Sequence, residues 1–180
     1  STSVRRWSYA TSKALDEFLA LAYYAEKKLP VIIARFFNTI GPGQIGDYGM
    51  VVPIFIQKAL AGEDIPIFGD GKQKRSFGYV GDAVKCIMKL VEKENSIGEV
   101  FNIGNTSEIT INDLANKIIK RCNSNSKIKY ISYKKAYGSG FEDMKRRKPN
   151  TNKLEAAIGF KPEVGIDRII DEMITYFKSI

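Results

Sequence analysis

The stretch LPVIIARFFNTIGP, Leu29 to Pro42, decides the fold. Pro30 lacks the amide hydrogen that a helix interior needs, so it closes the helix before it. Val31 to Phe37 is a short, β-branched, nearly continuous apolar run, the pattern of a strand buried on both faces of a parallel sheet. Asn38 follows the strand, and Gly41, Pro42, Gly43, Gly46 and Gly49 make a long loop. Upstream, Leu15, Phe18, Leu19 and Ala22 recur at helical spacing and predict a helix running to about Lys28 with a core-facing stripe. Downstream, helices and strands alternate. A helix is expected from about Val51 to Ala61, then a strand at IPIF, Ile65 to Phe68, closed by the turn Gly69-Asp70-Gly71. Asp82 is expected to cap a helix with Val84, Ile87, Met88 and Val91 inward, and Glu99 to Gly104 reads as another buried strand. Thr110 and Asp113 form an approximate capping box ahead of Ile111, Leu114, Ala115, Ile118 and Ile119. Ile128 to Ile131 predicts a strand, and the last helix lines up Ile166, Ile169, Ile170, Met173, Ile174 and Phe177 on one stripe. This alternation predicts an α/β fold built on a parallel sheet.

The chemistry-bearing feature lies in the first helix. Tyr9 and Lys13 are four residues apart and share a helix face. An ammonium near a phenol favours the phenolate and lowers a pKa that is otherwise about 10, which makes the phenol a usable general base. Composition fits a globular chain: 180 residues, 44% hydrophobic and 27% charged. No apolar run is long enough for a bilayer span, and no signal peptide is visible. Cys86 and Cys122 stand apart without metal-ligand spacing, so both are expected to be small buried side chains in a reducing, cytoplasmic compartment. With no histidine, histidine triads and histidine-ligated zinc are excluded. Of the net charge of +8, nearly all lies between Lys127 and Lys153, where nine basic side chains face two acidic ones. No nucleic-acid-binding module accompanies this patch, so a phosphate-bearing small molecule is its expected partner.

No glycine-rich strand-to-helix turn occurs that could cradle a dinucleotide pyrophosphate. The order YATSK (Tyr9 to Lys13), RFFNTIGP (Arg35 to Pro42), IFGDGKQKRSFGYVGD (Ile67 to Asp82), VFNIG (Val100 to Gly104) and RRKPN (Arg146 to Asn150) nevertheless resembles the extended short-chain dehydrogenases. More narrowly, it is similar to the NAD-dependent nucleotide-sugar epimerase/dehydratase family, matched over essentially the whole chain. The first half of that family, with its glycine-rich loop, has no counterpart here, so the chain is expected to be a carboxy-terminal portion.

The resemblance implies an extended Rossmann-type fold with a mixed α/β substrate-binding region. Residues 1–50 would belong to the NAD-binding domain and 51–180 mainly to the nucleotide-sugar domain, with 80–104 returning to the Rossmann sheet. It implies NAD as cofactor and a UDP-sugar as substrate, with Tyr9 as base, Lys13 on the nicotinamide ribose and Phe36 beside the nicotinamide. Asn38, Arg75 and Arg147 (Arg146 being the rival in register) match diphosphate-binding positions. Pro66 and Phe68 match the base-packing site, and Met50 and Val51 match backbone contacts to the base. A homodimer through the Tyr9–Lys13 helix is also implied. The loop Tyr48-Gly49-Met50 resembles the 4-epimerases, whereas AYGSGFEDMKRRKPN resembles bacterial UDP-glucuronate decarboxylases. The leading expectation is 4-epimerisation of a UDP-hexose by transient oxidation at carbon 4. Decarboxylation or dehydration is the alternative, and a non-catalytic substrate-binding or dimerisation piece is the alternative of another class. The chain alone is expected to be inactive.

Overall fold

In a computed structural model, residues 7–46, 50–138 and 143–180 are described. Helix α1 (Trp7–Lys27) ends where Lys28, with φ +56°, turns the chain toward Pro30. Strand β1 (Ile33–Phe36) follows and pairs in parallel with β6 (Val100–Ile103), Ile33 opposite Val100 and Phe36 opposite Ile103. Between them come β2 (Thr39–Ile40), α2 (Val51–Leu60), β3 (Ile65–Phe68), β4 (Lys74–Ser76), β5 (Gly78–Tyr79) and α3 (Val80–Val91). After β6 run β7 (Glu108–Thr110), α4 (Ile111–Arg121), β8 (Ile128–Ile131), α5 (Tyr133–Tyr137), β9 (Arg146–Arg147), α6 (Asn152–Ile158) and α7 (Ile166–Ser179). Strands β2 and β5 pair in parallel, as do β3 and β8, while β4 lies between antiparallel β7 and parallel β9. The mixed α/β architecture with parallel strand pairs agrees with the expectation from sequence.

Two cores hold these elements. In the first, α2, α4 and α7 enclose Ile56, Ile65, Leu114, Ile118, Ile170 and Met173, each essentially without exposed surface. The stripes expected on α4 and α7 supply most of it. Thr110 starts α4 as predicted: its hydroxyl accepts the Asp113 amide at 3.0 Å and meets the Asp113 carboxylate at 2.6 Å. The second core joins α3 and α6 to β6 through Ala83, Cys86, Leu90, Phe101, Ile103 and Leu154. Ion pairs between Arg121 and Asp167 and between Lys117 and Asp167 add a charged clasp across α4 and α7.

Several expectations are corrected. Asp82 does not cap α3; Tyr79 occupies that position, and the buried Asp82 carboxylate sits in the first turn, accepting the Val164 amide at 3.1 Å. The stripe Val84, Ile87, Met88 and Val91 faces outward, with Val91 69% exposed, while Ala83, Cys86 and Leu90 face in. This helix carries two apolar stripes, and the one with small residues lets α3 approach β6 and α6 closely. Leu15, Phe18 and Leu19 on α1 are likewise exposed, and no residue of α1 is buried. Strand β1 is not buried on both faces: Arg35 and Phe36 are exposed, and β6 is its one strand neighbour among the described residues. Cys86 is fully buried and burial pushes its thiol up to about 11, whereas Cys122 is only half-buried. Tyr48 and Gly49, and residues 139–142 of the stretch AYGSGFED, lie outside the described residues.

Candidate active site

The parallel pairing of β3 with β8 brings the ends of both strands to one edge. Beyond that edge Ser132 caps α5 by accepting the Lys135 amide, so Tyr133 and Tyr137, one turn apart, stand over the end of β3. The Phe68 and Tyr137 rings meet edge to face at 5.3 Å, and Tyr133 and Tyr137 lie 6.5 Å apart. Strand β4 adds Arg75 opposite them. The segment after β1 adds Asn38, held at φ +40°, a left-handed conformation that asparagine tolerates better than most residues. Its side-chain amide donates to the Ser76 carbonyl at 2.7 Å, which fixes it beside β4.

These elements enclose a cavity of about 300 Å³. Its lining joins the apolar and aromatic side chains of Pro66, Phe68, Tyr133 and Tyr137 to the polar ones of Asn38, Arg75 and Asp143. Val51, at the start of α2, closes a side. Arg75 donates through Nη2 to both oxygens of Asp143 at 2.8 and 3.0 Å. Asp143 also accepts the Tyr133 hydroxyl at 2.9 Å. Burial first, and this carboxylate second, push Tyr133 up to about 12, so it is a neutral donor at ordinary pH.

The three-stranded sheet separates the two candidate arginines of the RRKPN stretch. Residues opposite one another in a strand pair project from the same sheet face. Arg147 is opposite Arg75 and projects with it, whereas Arg146 is opposite Lys74 and projects away. Arg146 is held there by Glu108 through two bonds of 2.6 Å, which lower the Glu108 pKa and raise that of Arg146. The Arg147 guanidinium lies 5.3 Å from the Phe37 ring centroid, next to Asn38.

Among the expected site residues, the cavity therefore gathers Asn38, Val51, Pro66, Phe68 and Arg75. Met50 caps α2 with its side chain toward solvent. Tyr9, Lys13, Phe36 and Arg147 do not line the cavity, and all four are exposed. Lys13 Nζ is 6.0 Å from the Tyr9 ring centroid and bonds Asp16 at 2.8 Å, a pair that raises the Lys13 pKa. Glu17 grips Arg35 through both oxygens and ties α1 to β1. Sequence reasoning missed Tyr133, Tyr137 and Asp143. The tyrosines in YKKAY show the i, i+4 spacing that would have marked a shared face, but the ring-to-strand contact depends on β3 pairing with β8.

No metal-ligating cluster and no helix long and apolar enough to cross a membrane occur among the described residues. The chain is 43% identical to UDP-N-acetyl-α-D-glucosaminuronate decarboxylase of Bacillus cytotoxicus, over 100% of this chain and 56% of that protein. It is 35% identical to UDP-glucuronic acid decarboxylase 4 of Arabidopsis thaliana, over 97% of this chain and 38% of that one. The crystal structure of UDP-glucuronic acid 4-epimerase from Bacillus cereus, with UDP-glucuronic acid and NAD, superposes with a TM-score of 0.85 at 26% identity, covering 95% of this chain and 52% of that one. The chain thus spans about half the length of the relatives it matches. Residues 3–173 match the profile described as GDP-mannose 4,6 dehydratase, and the chain belongs to that family, a branch of the NAD-dependent nucleotide-sugar epimerases and dehydratases.

Proposed function

We propose that the complete protein is a UDP-uronate decarboxylase that oxidises carbon 4 of the sugar and then releases the carboxyl group as carbon dioxide. The observation that carries this reading is the cavity itself, whose lining combines aromatic side chains with Asn38 and Arg75. A base-diphosphate needs both environments. The named relatives supply the sugar: two decarboxylate, and one epimerises, UDP-linked uronic acids. The sequence alone favoured epimerisation of a hexose; these relatives move the weight to decarboxylation of a uronate.

Exposed Tyr9, Lys13 and Phe36 suit the nicotinamide end of NAD, offering a phenol, an ammonium and an apolar ring. When bound, NAD supplies the acceptor for a hydride from the sugar. Tyr9 takes the proton from the carbon-4 hydroxyl as that carbon is oxidised, and the Lys13 charge stabilises the phenolate. Phe68, Pro66, Tyr133 and Tyr137 flank the base, while Asn38 and Arg147 hold the diphosphate. A ketone at carbon 4 makes the sugar carboxylate a β-keto acid. The bond between carbons 5 and 6 then breaks, its electron pair moves toward the ketone oxygen, and carbon dioxide leaves. Reprotonation at carbon 5 and reduction at carbon 4, for which the bound cofactor would supply the hydride, would give the UDP-pentose with net consumption of one proton. Nuclear magnetic resonance of the product made from UDP-glucuronate and NAD tests this. A pentose lacking carbon 6 is the expected product; a 4-epimer that keeps its carboxylate would refute decarboxylation.

A further inference from the structure

Helix α3 buries one apolar stripe and leaves another bare. Ala83, Cys86 and Leu90 pack into the second core, while Val84, Ile87, Met88 and Val91 are 53%, 38%, 59% and 69% exposed. On a helix these four fall within about 100° of one another, a seam about a third of a turn from the buried face. A continuous seam of large apolar side chains among lysines and glutamates marks a contact surface. The order of the residues says what fits it. In VKCIMKLV, Val84 to Val91, the seam residues are symmetric about the point midway between Ile87 and Met88. A second α3 running antiparallel across a twofold axis at that point sets Val84 against the partner's Val91 and Ile87 against the partner's Met88. One surface then serves both sides, as an isologous contact requires. The charges agree. Lys85 and Glu92 are exposed, two turns apart on the same flank of the seam, and neither has an ion-pair partner among the described residues. In the antiparallel pair, Lys85 comes within about 3 Å, measured along the axis, of the partner's Glu92, inside the reach of both side chains. The symmetry makes that pair twice. Lys89 and Lys93 lie further round the helix, off this flank.

We propose that α3 is a self-association surface that joins two copies of this chain antiparallel through Val84, Ile87, Met88 and Val91, with Lys85 facing the partner's Glu92. The surface is separate from α1. A contact between two helices of this length is at the small end of specific interfaces, about 1,200 Å² or less, so the association is reversible and depends on concentration.

Sedimentation velocity of the complete protein over a dilution series tests this, with α1 unchanged in every variant so that differences report α3. The wild type should gain mass with concentration. Met88→Asp brings two carboxylates together beside the axis and should weaken the association at least about a hundredfold. Because Met88 is exposed, circular dichroism of that variant should keep the wild-type helix content. Lys85→Glu and Glu92→Lys should each weaken association about tenfold, since each change sets like charges opposite one another twice. The two changes in one chain should restore it, because opposite charges then face each other again. Oxidation should link Met88→Cys to its own copy, as expected of a residue beside a twofold axis, and leave Lys89→Cys unlinked. Equal masses for the wild type and Met88→Asp at every concentration would overturn the proposal, and would mean that this face is unused or covered by other residues of the complete protein. So would a charge-swapped variant that associates no better than Lys85→Glu alone, or linkage of Lys89→Cys in place of Met88→Cys, since either result excludes the antiparallel register.

Discussion

Replacing Gly69 by alanine should damage both the fold and the proposed nucleotide site, and the structure sets the size of the effect. Gly69 closes β3 at φ +78°, where an L side chain costs about 1–2 kcal/mol. A Cβ there would lie 2.6 Å from Tyr133 Cε2, 2.8 Å from Cζ and 3.0 Å from Oη. Carbon atoms rest at about 3.5–4.0 Å, so the ring must retreat by roughly 1 Å. That movement loosens the 2.9 Å bond from Tyr133 to Asp143, worth about 1 kcal/mol. The total is about 2–3 kcal/mol, or about 4–12 °C in melting temperature for a chain of this size. Gly62→Ala is the control: its φ is +69° with nothing within 4 Å of the added carbon, so it carries the backbone cost alone. Thermal unfolding and UDP calorimetry on both variants separate the two contributions. Gly69→Ala should melt below Gly62→Ala and bind UDP more weakly. Equal melting temperatures with unchanged UDP affinity would refute the contact between this turn and the base end of the cavity.

Two further outcomes follow from the capping and charge networks. Thr110→Ala removes the side-chain cap of α4 and should cost about 1 kcal/mol in urea unfolding; a change within error would mean the helix start is held by its packing alone. Glu17, Glu108, Asp167 and Glu172 are held below their ordinary values, chiefly by hydrogen bonds from Arg35, Arg146, Lys117 and Tyr79 respectively. Depressed carboxylates contribute fully above their unfolded values of 4.5 and 3.8, and that contribution is lost as pH falls through the folded values. With no histidine in the chain, the urea midpoint should stay flat between about pH 6 and about pH 8 and fall below about pH 4.5. A decline starting near about pH 6.5 would contradict this.

Legibility in the sequence tracked how local each determinant is. The α4 start was readable because Thr110 and Asp113 satisfy one another within a single turn. The α7 stripe was readable because one face alone is apolar. On α3 the periodicity was correctly helical, but two apolar stripes compete, and the close packing of Ala83 and Cys86 against β6 and α6 decides between them. Asn38, Pro66, Phe68 and Arg75 could be singled out by their match to the family's motifs, and Asn38 also because strand ends are where α/β folds hold ligands. The Asp143 pair was hidden: its partners Arg75 and Tyr133 lie 68 and 10 residues away, and only the β4–β9 register brings them together. The same register separates Arg147 from Arg146, which adjacency in the chain left open.

The most direct test of the catalytic account is Tyr9→Phe in the complete protein, with single-turnover formation of reduced nicotinamide followed at its absorbance band and UDP affinity measured in parallel. The account predicts a loss of about 10²–10⁴-fold in the oxidation rate with UDP binding unchanged, because Tyr9 does not line the cavity proposed to hold the nucleotide. Oxidation at the wild-type rate without that hydroxyl would contradict it.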